Sequence, residues 1–155
     1  MIAAVFSDSH GFVPYMTEAV RRCRPDVIIH LGDHERDAFA LHEKFPQLPF
    51  FSVAGNCDLA RRSPLWDTVQ LGPVRAFICH GHTYNVKMGL QRLYYAAQEQ
   101  GARLALFGHT HLPCNEDMGA VRLINPGSAS PGGSCTWARL EVFDNGAVYC
   151  QILEL

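Results

Sequence analysis

The chain has 155 residues, 48% hydrophobic and 18% charged, which supplies one sizeable core and argues against a disordered chain. Its formal net charge is −2 at pH 7, from 13 Lys and Arg against 15 Asp and Glu. That balance speaks against a stable nucleic-acid complex and against a polybasic membrane binder.

The N-terminal run over residues 2–6 is short, apolar and partly β-branched, and predicts a buried strand. It lacks a basic lead and stops before Asp8, so it does not read as a signal peptide. Residues 17–24 predict a helix with Ala19, Val20 and Cys23 on one face, broken at Pro25. Residues 27–31 predict a second buried strand, residues 37–45 a helix ended by Pro46, and residues 50–53 a third strand. Buried strands joined by helical crossovers imply a parallel sheet. Residues 68–71 and 74–79 read as a hairpin around Gly72 and Pro73. Residues 87–100 predict the longest helix, and residues 104–107 another buried strand. The last third is β-rich, with strands at 120–124, 136–142 and 147–153 and a tight turn at Asn145 and Gly146. Residues 128–134 read as a loop, and the whole of 1–155 as one domain. No apolar run approaches the roughly 18 residues of a membrane span. The six cysteines are scattered without a CxxC pair and read as reduced thiols of a cytoplasmic protein.

The chemistry sits in the loops after predicted strands. These carry Asp8, Ser9 and His10; Gly32 and Asp33; Gly55, Asn56, Cys57 and Asp58; His80, Gly81 and His82; and Gly108, His109, Thr110 and His111. In open α/β sheets the carboxyl ends of strands face one crevice. Asp, Asn and His gathered there offer oxygen and imidazole donors suited to Mn, Fe, Zn, Co or Ni. In an extended segment, i and i+2 point the same way, so Asp8 with His10, and His109 with His111, aim at one cleft. Gly32, Gly55 and Gly108 let the backbone turn tightly enough for these side chains to reach it.

The order D-x-H, G-D, G-N-x-D, H, G-H-x-H resembles the signature of the calcineurin-like metallophosphoesterase superfamily. The Gly55–Asp58 variant, His80-Gly81-His82 and Asn125-Pro126-Gly127-Ser128 are similar to its small YfcE-type phosphodiesterase branch. The resemblance implies an α/β fold in which a two-sheet β sandwich is flanked by helices, in four αββα layers. It implies two divalent metal ions, with Mn expected first. Asp8, His10 and His111 would hold one, Asn56, His80 and His109 the second, and Asp33 would bridge them. Such ions, about 3.5–4 Å apart, clamp a phosphoryl group and provide a metal-bound hydroxide for in-line attack near neutral pH. Asp8 and Asp33 offset about half the ions' charge, so the cleft stays attractive to a phosphate ester. Asp33, Asn56 and His82 are the expected catalytic residues, His82 contacting substrate or donating the leaving-group proton.

Many superfamily members have His at the position of Cys57, and that His is held to protonate the leaving group. A thiol is a weak donor, which puts that step in doubt. Asp58 is expected to hydrogen-bond its own loop, His30 to be a satisfied core histidine, His34 to lie beside the ligands or in solvent, and His42 to lie on the surface. Arg61 and Arg62 read as a solvated loop, with contact to a substrate phosphate as the alternative, and Tyr94 and Tyr95 as packing. The leading reading is a phosphodiesterase acting on a small phosphate ester, with homo-oligomerisation left open. The alternatives are a phosphomonoesterase or nucleotide hydrolase on the same site, or a metal-binding protein-interaction scaffold. The eukaryotic retromer scaffold subunit resembles this fold with a degraded metal site.

Overall fold

Alternation along the strands sorts the apolar residues of this chain onto three surfaces. The computed structural model describes residues 1–155. In chain order the elements are β1 (Ile2–Phe6), α1 (Val13–Cys23), β2 (Val27–His30), α2 (Glu35–Lys44), β3 (Phe50–Ser52), β4 (Trp66–Leu71), β5 (Val74–Cys79), α3 (Gln91–Glu99), β6 (Leu104–Leu106), β7 (Pro113–Asp117), β8 (Arg122–Pro126), β9 (Thr136–Val142) and β10 (Val148–Glu154). Two five-stranded sheets result, in the orders β10-β9-β1-β2-β3 and β4-β5-β6-β8-β7. In the first, β1, β2 and β3 are parallel. In the second, β5, β6 and β8 are parallel.

Side chains two apart share a sheet face, so each inner strand feeds two cores. From β1, Ala3 and Val5 point inward and meet Ile78, Leu106 and Ile124 of the other sheet. Ala4 and Phe6 point outward to Met16 and Val20 of α1 and Leu41 of α2. From β5, Ala76 and Ile78 face inward, whereas Phe77 and Cys79 pack under Leu93 and Ala97 of α3. The layers are therefore helices, sheet, sheet, helix, as the resemblance to the metallophosphoesterase superfamily implies.

Some predicted boundaries shift. α1 starts at Val13 rather than residue 17, with Pro14 in its first turn where a missing N–H costs nothing. α3 starts at Gln91 rather than residue 87, because Gly89 (φ 149°) interrupts the backbone. The strand expected over 120–124 runs from Arg122 to Pro126. β7 is absent from the prediction. It is polar and mostly exposed, and backbone pairing to β8 makes it an edge strand, beginning on a proline where sheets tolerate one. His42 stacks on Phe50 at 4.7 Å rather than lying free on the surface. All six cysteines are free. No helix is long and apolar enough to cross a membrane.

Ile29 is fully buried between the sheets. Ile29→Ala should lower unfolding free energy by about 2–5 kcal/mol in urea titrations, the range for a buried large-to-small change. Tyr95→Ala, at a position 60% exposed, should stay within about 0.5 kcal/mol.

Candidate metal centre

The two sheets place the ends of β1, β2, β3, β5 and β6 along one seam, and the side chains singled out from the sequence meet there. Asp8 and His80 are fully buried and Asp33 nearly so. One ligand atom from each of Asp8, His10 and His111 lies within 4.8 Å of the others, and the same holds for Asp8, Asp33 and His80. His111 Nε2 is 3.1 Å from Asp8 Oδ1, and His80 Nε2 is 3.9 Å from the same oxygen. His109 stands edge-on to His80, with ring centres 5.1 Å apart, and His82 lies 5.4 Å from His80. Asp8 is common to both groups, and Asp33 joins it beside His80. Asp33 Oδ1 is occupied by the Cys57 amide at 2.8 Å, which leaves Oδ2 to face His80 at 3.5 Å.

The side chains converge by a route the alternation argument does not contain. Asp8, His10, Asp33, His34, His109 and His111 all have left-handed backbones, with φ between 46° and 70°. Extended i, i+2 alternation therefore is not what aims them; a run of left-handed turns is. The glycines also divide by role. Gly32 is itself left-handed at φ 92°. At Gly55 a Cβ would collide with the Asp33 carboxylate, and at Gly108 with the Ser7 hydroxyl and Asp8 Oδ2, so these positions need closeness rather than a special φ.

The centre's hydrogen bonds test its fit to cations. His80 Nδ1 donates to the Leu31 carbonyl at 2.7 Å, since a carbonyl only accepts. That commitment turns Nε2 toward Asn56 Oδ1 at 3.1 Å, Asp33 Oδ2 at 3.5 Å and Asp8 Oδ1 at 3.9 Å. A lone pair pointed at oxygen acceptors is repelled; an imidazolium proton or a metal ion reconciles them. Burial opposes charge on His80, but the hydrogen bond to Asp33 and the charges of Asp8 and Asp33 outweigh it and raise its pKa. Burial would likewise raise Asp33, yet His80 and the Cys57 amide hold its carboxyl well below the usual range. Asp8 Oδ2 accepts from Ser7 Oγ at 2.6 Å and from the His109 amide at 3.1 Å. Asp8 Oδ1 and His10 Nε2 are buried without a hydrogen bond. Burial and His80 lower His109 to about 4, burial and His34 lower His10, and burial, His80 and Arg61 lower His82. Neutral imidazoles around buried carboxylates form a competent donor set for divalent ions.

Supporting residues only partly legible in the sequence hold these loops. Ser128 Oγ donates to the Asp8 carbonyl at 2.9 Å, and Asn125 Nδ2 to the Gly108 carbonyl at 2.9 Å, so residues 125–128 tie two donor loops together. Asp58 accepts from its own loop at Gly55 N, as expected, but also from Glu35 N, both at 2.8 Å. Buried Glu35, which nothing in the sequence singles out, accepts from the amides of Arg62 and Ser63. His30 is the satisfied core histidine expected: its Nδ1 accepts from Gly32 N at 3.3 Å, so its Nε2 donates to Ser9 Oγ at 3.2 Å. Ser9 in turn donates to Asp37 Oδ2 at 2.7 Å. His34 is exposed, edge-on to His10 at 4.6 Å. Arg61 and Arg62 are exposed, and Tyr94 packs into the cluster beneath α3. A hollow of about 790 Å³ between α1 and β10, beside Tyr15 and Trp137, contains none of the candidate metal donors.

A sequence model described as the calcineurin-like phosphoesterase superfamily domain matches residues 1–144. The chain belongs to that superfamily. A probable metallophosphoesterase of Bacillus subtilis, YsnB, is 34% identical over 131 residues, covering 83% of this chain and 75% of its own. Phosphodiesterase YfcE of Escherichia coli is 34% identical over 87 residues, 51% of this chain and 44% of YfcE. The structure of a Streptococcus pneumoniae protein described as a predicted phosphoesterase superposes with a TM-score of 0.78 at 30% identity, covering 99% of this chain and 97% of that one. An Entamoeba histolytica Vps29 variant superposes at 0.80 with 18% identity, covering 100% and 99%, a likeness of fold alone. This phosphoesterase thus combines the superfamily's fold with a donor set fit for a divalent metal.

Burial lowers the folded pKa of His30 to about 4, from an ordinary value near 6.5. The unfolded chain therefore takes up this proton first as pH falls. The stability that neutral His30 contributes is present above about pH 6.5 and lost on the way to about pH 4, on the order of 3 kcal/mol. In chelator-treated protein, His30→Gln should flatten that acid limb in urea titrations between pH 7 and pH 4.5.

Proposed function

We propose that this phosphoesterase is a phosphodiesterase working with two divalent cations, Mn²⁺ foremost and Fe, Zn, Co or Ni as alternatives, and that residues 1–155 act as one domain. Asp8, His10, Asp33, Asn56, His80, His109 and His111 would hold the ions. The observation that carries this reading is the His80 Nε2 held against three oxygens by the bond from its Nδ1 to Leu31. When bound, the ions neutralise phosphoryl oxygens and lower the pKa of a water toward neutrality.

The chain's own residues supply the positioning. Buried Asp8 and Asp33 fix where positive charge collects, and their two negative charges would offset only about half the charge of two divalent ions, so the loaded cleft would stay electropositive. His10 and His111 approach Asp8 from its more open side, since both are half-buried. Asn56 brings a neutral oxygen, and its Nδ2 donates to Cys57 Sγ at 3.4 Å. His82 belongs on the leaving-group side in this scheme, contacting the departing oxygen. Cys57 and His34 are exposed beside the donors, which leaves room for a second ester group. The partial likeness to YfcE, named a phosphodiesterase, supports the same preference. We also place the protein in the cytoplasm, in keeping with its free cysteines.

Chelator-treated protein should not hydrolyse bis-p-nitrophenyl phosphate, and added Mn²⁺ should restore turnover. Asp33→Ala should lower kcat by more than about 100-fold, beyond the 10–100-fold typical of residues that only orient a metal ligand. Absence of turnover with Mn²⁺ overturns the Mn²⁺-dependent diesterase reading and leaves a monoesterase, a different metal or a scaffold.

Because Cys57 is a weak proton donor, departure of a poor leaving group should be slow. With the other ester group held constant, p-nitrophenoxide should leave faster than an alkoxide by more than about 100-fold, the contribution of a general acid. Equal kcat values for the two diesters would show that another group protonates the leaving oxygen.

A further inference from the structure

A cavity of about 300 Å³ opens beside the centre, between the start of α2 and the loop after β3. Its wall contains His34, the neighbour of Asp33, and Cys57, the neighbour of Asn56, together with Arg36, Leu59 and Ala60. The volume is at the lower end of the roughly 300–1,000 Å³ of small-ligand pockets. The same two loops thus carry candidate metal donors on one side and a cavity on the other.

The two carboxylates of the wall are already committed. Asp58 accepts from the amides of Glu35 and Gly55, and Glu35 from those of Arg62 and Ser63. These bonds rigidify the walls and leave neither acid free to recruit a cation. What remains toward solvent is the exposed imidazole of His34, the guanidinium of Arg36, a thiol, and a leucine 96% exposed. A lone exposed leucine needs no explanation, but one lining a cavity beside a catalytic centre offers apolar surface to whatever enters. Guanidinium and imidazole planes stack on aromatic faces, and an aliphatic side chain covers the opposite face.

We infer that this cavity binds the non-departing ester group of the substrate and selects a flat aromatic group, a nucleobase or simple aryl ring, over a short alkyl group. The inference rests on the phosphoesterase reading above and names the substrate class of that site. Leu59 and Arg36 are the specificity-determining residues. They lie outside the donor set, and both are exposed, so their replacement leaves the fold and the reacting centre intact.

The test uses Mn²⁺-loaded full-length protein and substrates with one leaving group. Relative to p-nitrophenyl methyl phosphate, kcat/KM should be about tenfold higher for p-nitrophenyl thymidine 5′-phosphate or p-nitrophenyl phenyl phosphate, a value typical of one stacking contact. Whichever of the two is preferred decides between nucleobase and aryl. Leu59→Ser and Arg36→Ala should bring the ratio toward one by raising KM for the aromatic esters more than for the methyl ester. Calorimetry with thymidine 5′-monophosphate, phenyl phosphate and methyl phosphate reads the same preference without turnover. Aromatic preference in binding without hydrolysis of any diester would keep the pocket and overturn the diesterase. Hydrolysis with no aromatic preference, or with a preference unchanged in both variants, would overturn the pocket and keep the diesterase. Neither hydrolysis nor discrimination in binding would overturn both.

Discussion

The structure is organised around a carboxylate with no exposure to water. Asp8 lies where the first sheet meets the second, and burying its charge is tolerable only if protein donors or a cation compensate it. One oxygen is compensated by the Ser7 hydroxyl and the His109 amide, the latter from the other sheet. The second oxygen faces the imidazoles of His111 and His80 without a hydrogen bond. Much of the surrounding construction serves this geometry. Leu31 orients His80, Ser128 grips the Asp8 carbonyl, and Gly108 has no Cβ because Ser7 and Asp8 occupy that space.

The donor loops hold left-handed backbone at Asp8, His10, Asp33, His34, His109 and His111. Such residues cost on the order of 1–3 kcal/mol each where side chains disfavour that region, less for Asp and His than for branched residues. The inter-sheet core, with Val5, Ile29, Ile78, Leu106 and Leu140 fully buried, supplies the stability that holds them there. The centre is therefore preorganised: its donors are aimed by backbone fixed in packed strand ends rather than by flexible side-chain choice. The cavity beside His34 and Cys57 inherits that rigidity through Glu35 and Asp58, whose bonds to backbone amides join the start of α2 to the loop after β3.

Much of the fold was legible in the chain. Runs such as VIIH at 27–30 and LAL at 104–106 are wholly buried strands, and their apolar continuity marks them without tertiary information. β7 was not legible, because a polar, exposed edge strand gains its identity from pairing with β8 rather than from burial. The first turn expected of α3 was lost to Gly89, whose positive φ opposes an otherwise acceptable helical pattern. At the centre, the order of donor residues after strands, with the resemblance to the superfamily, singled out Asp8, His10, Asp33, Asn56, His80, His109 and His111, which the fold brings to one seam.

By itself, then, the sequence determined the α/β-then-β order of elements and the chemical kind of the centre, since both follow from local periodicity and from which donors follow which strands; the four-layer pattern came with the resemblance to the superfamily. Only the tertiary structure decided which oxygens of Asp8 and Asp33 stay open toward the imidazoles, because a carboxylate's free oxygen depends on which distant amide takes the other. Only it gave Glu35 its task, since a helix-start glutamate looks like any other until the amides of Arg62 and Ser63 arrive from another loop. Residue identity sets what a group can do; long-range packing sets which of its hydrogen bonds are already spent.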